Sequence, residues 1–388
     1  MARTLASIVQ IASCEPIPDT DRLSVATMDG KGWKVVVARD EFKKGDWAVY
    51  FEIDSFLDPN DERYAFLKER CLRKFVSKSG QVLREGIKIK TIKLRGVISQ
   101  GLLMPLKNFP EITDLIVWDN TLEEDMITYP EGEYNPAIGM DVSQILHVEH
   151  YDEVKEQLQP ACGGNPISAD AMGKFPSEYI PKTDEERCQN LSEYWEMYKD
   201  MDWEVTSKDD GSSVTMFYSK TIDQENPFGV CSRNLRLKPI DSRGNIPLAY
   251  KMAEKYGVEQ KFREYSEKTG HEIAVQGELL GPGIQKDRDK YLEHEWHVFK
   301  IWDITEQKFL LPSVRRNLCN ELGFQHVELV NPSLKVFTEY PTCDELLKFA
   351  EGKTARGNER EGVVFKSNTD PSLSFKAVSN RYLLKQDD

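Results

Sequence analysis

Over the first 110 residues, apolar and polar positions alternate with a period of two in short runs separated by turn residues. Residues 23–38, LSVATMDGKGWKVVVA, set two β-rich runs around Asp29-Gly30, which predicts a hairpin. GDWAVYFEID at 45–54 and GIKIKTIKLRGVISQGLLMPL at 86–106 add further strands. Alternation in the last run sets Lys88 and Lys90 against Ile87 and Ile89 on opposite faces. Between about residues 126 and 180 the chain loosens into Pro, Gly and Ser, as in TYPEGEYNPAIGMD and QLQPACGGNPISADAMGKFPSEYIP, and a boundary is placed there. Thr183 and Glu186 are spaced as a capping box, predicting a helix from Thr183. After residue 200, strand-like runs alternate with helical stretches such as IPLAYKMAEKYGVEQKFREYSEKT, PSVRRNLCNEL and TCDELLKFAEGK. The pattern predicts an α+β protein with a first domain and linker over 1–150 and a second domain over 165–388.

Composition narrows this picture. A chain of 388 residues with 39% hydrophobic and 30% charged positions is long enough for two or three cores. No apolar run approaches membrane-spanning length, and the N terminus lacks a signal-peptide layout, so an intracellular setting, cytoplasmic or nuclear, is expected. Seven scattered cysteines with no Cys-x-x-Cys pair argue against a disulfide framework or zinc knuckle. His294 and His297 suit a shared metal only if helical, and no third ligand is near.

The net charge of -14 conceals a local reversal. Residues 63–95 hold eleven basic side chains against Glu69 and Glu85, whereas residues 101–150 set Lys107 alone against ten acids. A small strand-rich domain with a basic face and the aromatics Tyr64, Phe66 and Phe75 resembles an OB-fold barrel, which implies RNA contacts from Lys88, Lys90, Lys93 and Arg95.

The second domain opens with EVTSKDDGSSV, residues 204–214. Taken alone, Lys208 beside Asp209, Asp210 and Gly211 is an ordinary turn lysine. The elements that follow also carry charged residues where a core prefers apolar ones: Arg233, Glu278, Asp303, Glu361, Lys366 and Lys376. In order, Lys-x-Asp-Gly at 208–211, Ser-Arg-Asn at 232–234, Gly-Glu at 277–278, the aromatics and Asp of 299–303, Glu-Gly-x-Val-x-Lys at 361–366 and Lys376 resemble the signature of covalent nucleotidyltransferases. That superfamily contains polynucleotide ligases and mRNA capping enzymes. The resemblance implies an ATP-grasp-like ligase domain of antiparallel sheets with flanking helices, and Lys208 as the nucleophile that accepts AMP.

An amine attacks phosphorus only when neutral, and cationic neighbours favour that form; Lys366 and Lys376 are expected beside it. By resemblance these two lysines also hold the α-phosphate, Glu278 meets the ribose, and Arg233 meets the ribose or the acceptor end. Phe299 stacks on the base, with Trp302 as second choice. Asp210, Glu361 and Glu278 are expected to hold Mg2+ or Mn2+ through water. Asp209 is expected to point away from the amine, which it would otherwise keep protonated.

DNA ligases and capping enzymes place an OB domain after the last motif lysine, yet only twelve residues follow Lys376. An OB-like domain placed first resembles the fifth family of ATP-dependent RNA ligases, as do the segments FPSEYIPKTDEERCQN, QGELLGPGIQ and SFKAVSNRYLLK. This implies sealing of 3'-OH and 5'-phosphate RNA ends through lysyl-AMP and an RNA-adenylate, by a monomer acting on nicked duplex. KDRDKY at 286–291 departs from that family's pattern. The alternatives are a GTP-dependent guanylyltransferase and a non-catalytic RNA-binding protein with a decayed ligase domain.

Overall fold

The computed structural model describes residues 4–119, 124–128, 134–158 and 170–386. Its contacts group the chain into two units. The first holds the described residues through 158 together with Gln189–Glu193 and the end from Leu384, and the second holds those up to Cys188 and Tyr194–Leu383. Gln189–Glu193 joins the first unit through Asn190, which accepts from Trp33 Nε1 at 2.6 Å and donates to Glu52 at 2.7 Å.

In the first unit an antiparallel sheet runs in the order Leu102–Pro105, Trp47–Phe51, Ala6–Pro16, Leu23–Met28, Lys31–Ala38. The strand Ala6–Pro16 serves two partners. Residues 6–10 pair with Trp47–Phe51 and residues 11–16 with Leu23–Met28, with an irregularity between Ile11 and Ser13. Asp29-Gly30 forms the hairpin turn expected of it, with Gly30 at φ 70°. Ile8, Val49, Phe51, Ile87, Phe109 and Ile112 meet in the core, none more than slightly exposed.

The basic stretch is partly neutralised within its own unit. Arg63 bonds Asp61 and Glu111 at 2.7 and 2.6 Å, Lys74 pairs with Glu85, and Arg84 with Glu149. Glu111 and Glu149 come from the acidic stretch that follows. Lys88 departs from its expected RNA-facing role: it is 9% exposed, lies 3.6 Å from Asp54 and sits 4.6 Å from the centre of the Tyr151 ring. The strand Val82–Lys88 ends at this residue, so simple alternation does not continue to Lys90. Lys93 and Arg95 lie exposed on the hairpin Thr91–Leu94/Val97–Gln100, with Arg95-Gly96 at its left-handed tip.

The second unit contains two sheets. The larger follows the order Ala171–Lys174, Leu235–Leu237, Phe228–Cys231, Ser212–Tyr218, Ile273–Leu280, Glu295–Asp303, Lys308–Phe309. The smaller follows Glu186–Arg187, Ser374–Val378, Gly362–Ser367, Trp203–Lys208, Leu329–Leu334. Helices Leu248–Tyr256, Val258–Thr269 and Pro312–Leu322 cover the large sheet over Met216, Val275, Trp296, Val298 and Phe262. The first two come from one predicted helical stretch, which Gly257 interrupts at φ 62°.

The predicted helix at Thr183 does not form. Glu186 and Arg187 instead pair in parallel with Phe375 and Lys376, because Asp184 and Glu185 find cationic partners across the unit. Among helices with a described cap, the capping box occurs at Thr342 and Glu345, ahead of Cys343–Ala350.

Candidate active site

Lys208 ends the strand Trp203–Lys208, and the next three residues carry the chain from the small sheet to Ser212–Tyr218 of the large one. The Asp-Gly pair is therefore a crossover between sheets, not a hairpin tip. Close approach explains the glycine. A Cβ on Gly211 would lie 2.4 Å from the Leu279 carbonyl oxygen, and the Gly211 amide donates to Glu278 Oε1 at 3.1 Å. Gly362, the register partner of Lys208, is similarly constrained: its Cβ would lie 2.2 Å from the Ala377 carbonyl oxygen. Gly211 thus lets backbone pack against Leu279 next to Glu278, and Gly362 against Ala377 next to Glu361, the two acids that flank the lysine.

Lys208 Nζ lies 2.6 Å from Glu361 Oε1. Burial alone lowers a lysine pKa, but Glu361, Glu278 and Asp210 outweigh it and hold this amine above its ordinary value. Lys208 is therefore held as an ammonium. This corrects the expectation that Lys366 and Lys376 keep it neutral, since the charges that dominate at the amine are acidic. Burial pushes the Glu278 carboxyl up to about 8 against the pull of Lys208, and it raises Glu361 as well. Asp209 turns to His297, whose Nδ1 lies 3.0 Å from Asp209 and whose Nε2 lies 2.9 Å from Glu295. His294 and His297 do not share a helix; His297 is a strand residue held between two carboxylates.

Strand register orders the remaining groups. Across the small sheet, Lys208 is level with Gly362 and Val378, Thr206 with Val364 and Lys376, and Glu204 with Lys366 and Ser374. At about 3.4 Å per residue, Lys376 is roughly 7 Å and Lys366 roughly 14 Å along the strands from the level of Lys208. Lys366 is thus not a neighbour of the nucleophile. It is buried, 3.5 Å from Thr206 Oγ1, and burial together with Arg315 holds its pKa far below the usual lysine range. Lys376 bonds Asp184 at 2.9 Å, and Arg233 reaches the same carboxylate at 3.6 Å.

On the large sheet, Glu278 faces His297 across the register and Gln276 faces Lys300, with an irregularity that leaves Phe299 between them. Trp296, Val298 and Ile301 enter the helix-covered core, so this bulge sets Phe299 on the face of Lys300. Lys300 Nζ bonds Glu185 and Ser374 at 2.9 Å. Trp302 is occupied in packing, donating from Nε1 to the Tyr179 carbonyl and meeting Phe309 edge to face.

Sequence reasoning missed Asp184, Glu185, Lys300 and Tyr382, and it considered His297 only as a metal ligand, not as the partner of Asp209. Lys300 carried a signal, a lysine inside an apolar strand; Asp184 and Glu185 were masked by the helix reading.

Divalent-metal binding fits the donor set. Glu278, Glu361 and Asp210 gather three carboxyl groups around one ammonium; burial raises the first two, and a hydrated cation would favour their ionised forms. Among the described residues, no three acids or histidines already form a ligand cluster. Glu361 is held by Lys208 and Glu278 by the Gly211 amide, while Asp210 lies beside Arg288 in the same cavity as Tyr382.

A family model described as an OB-fold domain matches residues 5–106, and one described as RNA ligase matches residues 201–378. Among curated proteins, none matches the chain. Solved structures of Naegleria gruberi RNA ligase align end to end. A variant with ATP and Mn has 30% identity and a TM-score of 0.78, covering 100% of both chains. The enzyme with PPi has 30% identity and a TM-score of 0.77, covering 99% of each, and an apo variant has 30% and 0.77, covering 99% of this chain and 98% of that one.

Proposed function

The chain belongs to the RNA ligase family, and from that premise we propose that Lys208 accepts AMP from ATP and passes it to an RNA 5'-phosphate. The protein is an ATP-dependent RNA ligase that works with a divalent metal ion. The observation that carries the assignment of Lys208 is its amine at the sheet crossover, 2.6 Å from Glu361 and within the field of Glu278 and Asp210.

The residues divide the work by level. Lys208, Glu361 and Glu278 lie at one end of the cleft, Lys376 about two residues further in, and Lys300 with Lys366 at the inner end. An AMP joined to Lys208 then sets its phosphate toward Lys376 and its ribose near Glu278. Its base stacks on Phe299. Arg233, sharing Asp184 with Lys376, lies at the ribose or acceptor side.

Before attack, Lys208 must lose the proton that its carboxylates stabilise. Asp210, Glu361 and Glu278 would hold a divalent ion, whose positive charge would weaken their hold on the ammonium and draw charge from the α-phosphate. The amine then forms a bond to the α-phosphorus as pyrophosphate leaves. Next the RNA 5'-phosphate displaces Lys208 from the AMP, and the RNA 3'-OH displaces AMP to give the phosphodiester. Positioning supplies much of the acceleration in each step.

The RNA is taken to be a nicked duplex with 3'-OH and 5'-phosphate ends, bound by a monomer, with Lys93, Arg95 and Lys90 as phosphate contacts. No helix among the described residues is long and apolar enough to cross a membrane. The test uses purified protein, magnesium and α-labelled ATP or GTP, followed by denaturation. Label from ATP on the wild type and none on Lys208→Ala is expected; label retained by the variant refutes the nucleophile.

A further inference from the structure

We propose that Arg288 receives a phosphate group on the outer side of Lys208, either the departing pyrophosphate of ATP or the 5'-phosphate of the acceptor RNA. This rests on the ligase reading above. Arg288 belongs to KDRDKY, the stretch that departs from the family pattern, in the connection from Ile273–Leu280 to Glu295–Asp303.

That connection is fixed in an unusual conformation. Gln285, Asp287 and Lys290 have φ of 47°, 37° and 49°, a region that side-chain-bearing residues adopt at a cost. Asp289 accepts from Thr354 Oγ1 at 2.7 Å and Asn358 Nδ2 at 3.0 Å, and Arg356 lies 4.0 Å over the Tyr291 ring. Gln285 donates to the Gly211 carbonyl at 3.2 Å, tying the connection to the nucleophile's own loop.

Held this way, the Arg288 guanidinium lies 4.2 Å over the Tyr382 ring in a cavity also lined by Lys208, Asp210 and Glu361. Its side chain is 21% exposed, and its nearest acid is Asp210 at 3.9 Å, beyond hydrogen-bond reach. Among the described residues it makes no hydrogen bond. Stacking thus orients a planar fork of donors whose edge is unused, the arrangement that binds phosphate through paired hydrogen bonds. Five other acids line the cavity: Asp209 is engaged by His297, Asp289 by Thr354 and Asn358, Glu361 by Lys208 and Asp287 by the Tyr291 amide, and Glu359 also lies on its wall. A phosphate entering with its divalent ion therefore meets Arg288 with its donors free, while the ion faces the carboxylates.

The test compares the full-length wild type, Arg288→Gln and Arg288→Lys, beginning with calorimetric titration of magnesium pyrophosphate. Two single-turnover steps follow: lysyl-AMP formation from ATP, and transfer of that AMP to a 5'-phosphorylated RNA nick. Weakening of pyrophosphate binding by roughly ten- to a hundredfold in Arg288→Gln, with a raised KM for ATP in the first step, supports the proposal and identifies pyrophosphate. A similar loss confined to the transfer step supports it and identifies the acceptor phosphate. Arg288→Lys should fall between, keeping the charge without the fork, and it carries the test if the glutamine variant fails to fold. Variants equal to wild type in pyrophosphate binding and in both steps overturn the role of Arg288. A wild type that forms no lysyl-AMP overturns the ligase chemistry at Lys208 instead.

Discussion

Acid should destabilise the second unit through one histidine. His326 Nδ1 lies 2.6 Å from the Val327 carbonyl, while its Nε2 lies 3.0 Å from Arg315 Nε. A backbone carbonyl can only accept and a guanidinium can only donate, so the imidazole is neutral with its proton on Nδ1. A second proton would remove the acceptor and place a cation against Arg315. Burial first, then Arg315, lower the pKa from 6.5 to about 3. Between these values the unfolded chain binds the extra proton and the folded one does not, so stability rises with pH and is lost as pH falls below 6.5. Going from pH 7 to pH 5 should therefore cost about 2 kcal/mol from this group.

Urea unfolding of wild type and His326→Gln at both pH values measures this directly. Glutamine retains an acceptor for Arg315 but does not titrate, and the carboxylates shared by both proteins cancel in the comparison. Wild type should lose about 2 kcal/mol more than the variant, about 1 M in midpoint for a slope near 2 kcal/mol per M. Equal losses would refute the assigned tautomer and its bond to Arg315.

Other consequences follow from the same structure. Glu204, fully buried between Arg315 and Arg316, should destabilise the protein by about 3–5 kcal/mol when changed to Gln, because two guanidiniums lose their carboxylate; urea unfolding at pH 7 checks this. Gly362→Ala should force the Ala377 backbone away and displace Glu361 and Lys208, slowing lysyl-AMP formation by roughly a hundredfold while the protein remains folded by circular dichroism. Neutralising Lys93 and Arg95 together should reduce the slope of log affinity for nicked RNA against log salt by about 1–2, read by filter binding from 50 to 200 mM salt. Lys88→Ala should leave that slope unchanged and cost about 1 kcal/mol of stability, because its amine is spent on Asp54 and Tyr151.

The fold was legible wherever local pattern and tertiary environment agreed. The Asp29-Gly30 hairpin, the Trp47–Phe51 strand and the helices Pro312–Leu322 and Cys343–Ala350 follow from periodicity and turn chemistry. The helix expected at Thr183 fails because a capping box offers only about 1 kcal/mol, whereas Asp184 and Glu185 each find a lysine and the backbone finds a strand edge. Lys88 failed for a related reason: alternation gives a side chain's face but not what covers that face.

By itself the sequence determined the chemistry available: an ordered set of acids and lysines around Lys-x-Asp-Gly, with a strand-rich basic segment ahead of it. Only the tertiary structure decided how that chemistry is poised. Register between strands far apart in the chain puts Glu361 rather than a lysine against Lys208 and moves Lys366 to the inner end of the cleft, and the connection after Ile273–Leu280 stacks Arg288 on Tyr382. Electrostatic effects depend on distance and burial, neither of which residue order specifies. The order names the charges, and the fold sets which of them act on one another.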